Sequence, residues 1–214
     1  MTLVSFLAVE FLILFVVGPT IFAFARHRIP AIPALWAMLA YCLFILLHDP
    51  RFDRRHLWDT SGFRQHLPAI LAIFALCLAI GIVLILRYAP ADFLSLPRSR
   101  PALWSIIMVL YPVLSVYPQG TVYRVFLFHR YRELFGSDWG IVLASALAFA
   151  YVHIIFRNVL AVILTFLGGL LFAYRYLHSG SLPLSSFEHA LYGCAIFTIG
   201  LGTSFYHAAA LQRT

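Results

Sequence analysis

Several stretches of this chain run for 18 or more residues with one charged side chain or none, and that feature decides most of what it can fold into. Hydrocarbon offers no partner to a bare backbone amide. A segment of this length and character therefore crosses a bilayer as a helix, which satisfies its own N–H and C=O groups. Composition agrees. The chain is 63% hydrophobic and 11% charged, against about a quarter charged in ordinary soluble domains. The fold class is an all-α polytopic transmembrane bundle of about seven spans, within a range of six to eight.

The spans fall at 2–25, 31–48, 68–87, 102–134, 140–156, 158–177 and 183–207. No Arg or Lys precedes the first apolar run, and that run is too long for a signal-peptide core, so it reads as a retained span. Pro112 and Pro118 are expected to kink or divide the long segment 102–134. Ser137 or Asp138 is the expected cap of the following helix, and Ser185 or Ser186 that of the last, with Glu188 in its first turn near the surface. Gly168-Gly169 suits close helix contact. The stretch "DPRFDRRHLWDTSGFRQH" is an aqueous loop with room for an interfacial helix. Residues 1–101 form N-terminal helices with the polar loop 49–67, and residues 102–214 a second helical core, together one integral membrane domain.

The net charge of +7 is carried by arginine alone, since the chain has no lysine. The arginines are scattered over short loops rather than gathered on one face, so they read as headgroup anchors and not as a nucleic-acid surface. They divide seven against seven between the two sides, counting Arg26, Arg130, Arg175 and Arg213 as loop or tail residues, and so give no orientation. Cys42, Cys77 and Cys194 lie in apolar runs without metal spacing and read as reduced packing residues.

Ionisable groups inside spans are costly, and here they collect in the C-terminal half. Arg124 follows a charge-free stretch from Ala102 to Tyr123. It either snorkels toward His129 and Arg130 or faces a shared interior, where Glu10 is one conceivable partner. Gly120 sits four residues before it, on the same helical face. Phe149, His153 and Arg157 share another face, and His189 and Gly193 a third. The run "VFLFHRY" reads as lipid-facing.

In order and spacing, these positions resemble the CPBP family of intramembrane endopeptidases, which includes the type II CAAX prenyl proteases and bacterial relatives tied to bacteriocin processing. The family pattern is Glu-Glu-x-x-x-Arg, Phe-x-x-x-His and His-x-x-x-Asn, the last position also taking a small residue. The corresponding residues are Gln119-Gly120 with Arg124, Phe149 with His153, and His189 with Gly193. The resemblance implies peptide hydrolysis within a bacterial plasma membrane, on membrane-associated or CAAX-type substrates and in contact with lipid. It assigns a glutamate and the first histidine to water activation, the second histidine and its partner to the oxyanion, and the arginine to orienting the glutamate. Gln119 and Gly120 replace both acidic positions, so activity is expected to be reduced or lost. No cofactor is implied: His153 and His189 are the candidate metal ligands, and two fall short of the three that catalytic zinc usually takes. The alternatives are a pseudoprotease acting as a membrane binding module and a small polytopic transporter.

Overall fold

The computed structural model describes residues 2–25 and 27–202; Arg26, Arg213 and the end of the last expected span lie outside them. Among the described residues there is no strand. Six helices are long and apolar enough to span: α1 (Leu3–Ala25), α2 (Ala31–His48), α3 (Phe63–Tyr88), α5 (Pro101–Phe135), α6 (Asp138–Phe156, its last turn 3-10) and α7 (Val159–Ser179). A short α4 (Ser95–Ser99) precedes α5. The seventh long helix, α8 (Leu182–Ile199), has 18 residues and is less apolar because it turns Ser185, Ser186, Glu188 and His189 inward. Large apolar side chains such as Phe24, Leu76 and Val109 stand on the outer surface, as lipid contact requires. The protein is an integral, multi-pass membrane protein.

The central helix α5 is continuous over 35 residues, so the prolines do not divide it. Pro112 opens a π-helical turn, Pro112–Val116, Pro118 sits in the α-helical turn that follows, and a second π-helical turn spans Thr121–Phe126. Pro118 has no N–H to offer the carbonyl of Leu114, and Trp36 Nε1 donates there instead at 3.0 Å. Ser145 Oγ likewise donates to the Tyr123 carbonyl at 2.7 Å. The neighbouring helices thus satisfy the backbone groups that the irregular turns release.

The first half of α5 faces outward, and its second half, buried from Gly120 to Phe128, carries the core. Val125, Phe126, Leu127, Phe128 and Tyr131 are buried, which overturns the lipid-facing reading of that run. Phe15, Phe126 and Tyr131 meet edge to face. Glu10 receives Arg130 Nε at 2.9 Å, Arg130 Nη2 at 3.2 Å and the Tyr131 hydroxyl at 3.1 Å. That network fastens α1 to the end of α5, and it places Glu10 with Arg130, not with Arg124. Helices α6 and α7 approach closely where a Cβ on Gly169 would lie 3.0 Å from Ala146 Cα. Gly168 instead faces its own helix's Phe172. Of the cysteines, Cys42 is buried as a packing residue should be, whereas Cys77 on α3 is exposed at the wall of a large cavity.

The polar loop contains one 3-10 turn, Arg54–Leu57, in place of an interfacial helix. His56 Nδ1 lies 2.5 Å from the Gly180 carbonyl and Ser181 Oγ donates to the Asp59 carbonyl at 2.5 Å, so the loop is tied to the α7–α8 turn. At its start, Asp49 accepts from Arg51 and lies 3.0 Å from His129 Nε2, contacts that hold its carboxyl well below the usual range. Ser137 caps α6 as expected. The cap of α8 is Ser181, not Ser185 or Ser186, because the helix begins one turn earlier.

That earlier start carries Glu188 inward, to 0% exposure, and corrects its assignment to the surface. Arg175, counted as a loop anchor, meets it from α7. Its Nε lies 2.9 Å and its Nη2 3.3 Å from the two carboxylate oxygens, and its Nη1 lies 3.2 Å from His66 Nδ1 on α3. The pair ties three helices together, and removing one member leaves an uncompensated buried charge. Arg175→Met is expected to lower unfolding stability in detergent by about 3–5 kcal/mol. Arg175→Met combined with Glu188→Leu is expected to recover most of that loss when thermal unfolding is compared across the three proteins.

Candidate functional site

Four helices supply the site: α5 with Tyr111, Gln119, Gly120 and Arg124; α6 with Phe149 and His153; α7 with Phe172; and α8 with Ser186, His189 and Gly193. The ring of Phe149 is the hub. Its centroid lies 4.7 Å from that of His153 and 5.3 Å from that of His189, the latter ring perpendicular to it. The guanidinium of Arg124 sits over the same ring at 4.3 Å. Phe172 closes the group, stacked on His189 at 4.7 Å and 5.3 Å from the Arg124 guanidinium. Arg124, His153 and His189, predicted on separate spans, are therefore brought together.

Arg124 is 1% exposed and does not snorkel. None of its three nitrogens has a hydrogen-bond partner among the described residues, so two aromatic faces stand where a carboxylate would. A cation over an aromatic face gains about 0.5–2 kcal/mol, less than a buried charge loses on leaving water. Neither acidic side chain within the bundle compensates, because Glu10 is held by Arg130 and Glu188 by Arg175. Such an arrangement persists when function requires the charge.

The two replaced acidic positions differ in surroundings. A Cβ on Gly120 would lie 2.6 Å from Leu182 Cδ1 and 2.7 Å from Ser186 Oγ, so α8 has closed over that position. Gln119 reaches a cavity of about 1460 Å³, whose wall also includes Tyr111, Phe149, His153, His189 and Gly193. Its Nε2 donates to Ser115 Oγ at 2.6 Å, and its Oε1 is buried without a partner.

His153 stands at the C-terminal end of the regular part of α6, beginning a 3-10 turn. Its Nδ1 lies 2.6 Å from the carbonyl of Phe149. A carbonyl only accepts, so Nδ1 carries the proton, and Nε2 of the neutral ring presents a lone pair. That geometry suits a base. His189 Nε2 lies 3.4 Å from the Tyr111 hydroxyl, while its Nδ1 and the nearby Ser186 Oγ are buried without partners. Arg157, expected to continue the face of Phe149 and His153, does not: the helix has ended, and Arg157 is exposed with φ +51°. Among the described residues no three His, Cys, Asp or Glu side chains cluster as a metal ion would need.

Sequence reasoning missed Tyr111, Phe172 and Ser186, which carry no charge and no motif. It also missed the Arg175–Glu188 pair, although two opposite charges in apolar segments are a usable signal. The contrast between positions 119 and 120 is open to test. Gly120→Glu is expected to destabilise the protein by about 1–3 kcal/mol through overpacking against Leu182 and Ser186. Gln119→Glu, nearly isosteric and facing the cavity, is expected to leave unfolding within about 0.5 kcal/mol of the parent.

Residues 101–195 match the family model described as type II CAAX prenyl endopeptidase Rce1-like. No curated protein and no solved structure matches the chain. The matched segment starts with α5 and runs into α8, and it contains all three motif stretches with the cavity wall they form. Over this segment, somewhat under half of its length, the chain is similar to the Rce1-like type II CAAX prenyl endopeptidases.

Proposed function

We propose that the chain is an intramembrane endopeptidase that cleaves membrane-associated peptides, CAAX-type C-termini among them, slowly and with His153 as its base. The observation that carries this reading is the meeting of His153, His189 and Arg124 around Phe149 at the wall of a large apolar cavity. An apolar chamber with a few convergent polar groups is what a lipid-exposed peptide substrate needs.

The chemistry runs through His153 Nε2, which takes a proton as the water oxygen bonds to the scissile carbonyl carbon. The carbonyl π pair moves onto its oxygen, and His189 stabilises that oxyanion. When the C=O bond re-forms and the C–N bond breaks, the imidazolium returns the proton to the leaving amine. Arg124 contributes a fixed positive charge behind Phe149. In the family this charge orients a glutamate; here it has none to orient, and the water is held less firmly. Loss of a positioned base typically costs about 100- to 10,000-fold, so the parent is slow.

A second reading, a pseudoprotease that binds membrane peptides without cutting them, is favoured by one observation. The space beside Gly120 is filled by the side chains of Leu182 and Ser186, which a carboxylate at that position would have to displace. Cleavage of a fluorogenic prenylated peptide in detergent separates the two. Gln119→Glu is expected to raise turnover by about 100-fold or more, and His153→Ala to abolish it in both backgrounds. Silence of the parent and of Gln119→Glu, with the peptide still bound, would establish the pseudoprotease instead.

A further inference from the structure

Gly193 stands where the resemblance places an asparagine or a small residue one turn beyond the second histidine, and a glycine offers no side-chain donor. The space is nevertheless occupied. A Cβ built on Gly193 would collide with the ring and the hydroxyl of Tyr111, which reaches across from α5. The same hydroxyl lies 3.4 Å from His189 Nε2, the ring stands perpendicular to His189 with centroids 6.3 Å apart, and Phe197 packs edge-on against its other side at 5.4 Å. Tyr111, His189 and Gly193 all face the cavity that His153 and Gln119 line.

We propose that Tyr111 is the missing oxyanion donor: its hydroxyl takes over from the side chain absent at position 193 and works with His189. This assignment rests on the endopeptidase reading above. Two donor atoms 3.4 Å apart leave a point about 2.8 Å from each, where one oxygen accepts from both. As water adds and the carbonyl π pair moves onto oxygen, the phenol O–H and the imidazole N–H donate there. When the C–N bond breaks the same electron pair re-forms C=O, and both donors keep their protons. The exchange also explains why Gly193 is small: the phenol ring fills the volume that a larger side chain would need. Position 111 is just ahead of Pro112 and the first π-helical turn, so the irregular part of α5 begins where the ring enters the cavity.

The test combines binding, spectroscopy and turnover. A hydrophobic peptidyl phosphonate, which imitates the tetrahedral oxyanion, is titrated into the parent, Tyr111→Phe and Tyr111→Ala/Gly193→Asn. Tyr111→Phe keeps the ring against Gly193 and is expected to bind about tenfold or more weakly, while the double variant regains part of the affinity. In ¹⁵N-histidine-labelled protein, with His189→Gln for assignment, Tyr111→Phe is expected to shift the His189 ring signals. In the Gln119→Glu background it is expected to lower kcat by about 100- to 1,000-fold with KM little changed. Unchanged phosphonate affinity, unchanged His189 signals, or no phosphonate binding by the parent would each overturn the assignment. Absence of turnover in Gln119→Glu would remove the endopeptidase reading alone, because the phosphonate and the histidine signals report on Tyr111 without catalysis.

Discussion

A cation sealed inside a membrane bundle with no anion beside it governs this architecture. Arg124 has two aromatic faces for neighbours and no hydrogen-bond acceptor among the described residues. The unmet charge explains much of what surrounds it. The rings of Phe149 and Phe172 stand next to it because a π face is the best remaining partner for a guanidinium. The same two rings hold the imidazoles of His153 and His189, so the group that accommodates the charge also sets the geometry of the site.

The other intramembrane charges follow the opposite rule. Glu10 with Arg130 and Glu188 with Arg175 are close, multiply hydrogen-bonded pairs, the first joining α1 to α5 and the second α7 to its neighbour α8. In a medium of low dielectric such pairing is nearly obligatory. The carboxylates available to the bundle are thereby spent on fastening it, at its N-terminal edge and behind α8. What remains at the centre is a positive site with a lone pair on His153 and donors around His189.

The membrane-spanning architecture and the meeting of Arg124, His153 and His189 were legible in the sequence, because span length and the spacing of polar residues within spans are local properties. The rest depended on contacts between distant residues. Whether Pro118 breaks a helix depends on Trp36 reaching the Leu114 carbonyl, from a residue 78 positions away. Burial of Glu188 depends on α8 starting at Ser181 and on Arg175 waiting on the neighbouring helix. The run from Val125 to Tyr131 is apolar enough to face lipid or core, and only the central place of α5 decides between them. Gly120 and Gly193 both read as lost side chains, yet their volumes are filled from other helices, one by Leu182 and Ser186, the other by Tyr111.

The most direct measurement is the unfolding free energy of Arg124→Met beside that of the parent, in the same detergent. If Arg124 is an unpaired cation kept for function, methionine removes a desolvated charge and fills the same apolar slot, and the variant is at least as stable as the parent. A loss of about 3–5 kcal/mol, the signature of a broken buried ion pair, would mean that Arg124 has an anion after all, and the account of the site would fail with it.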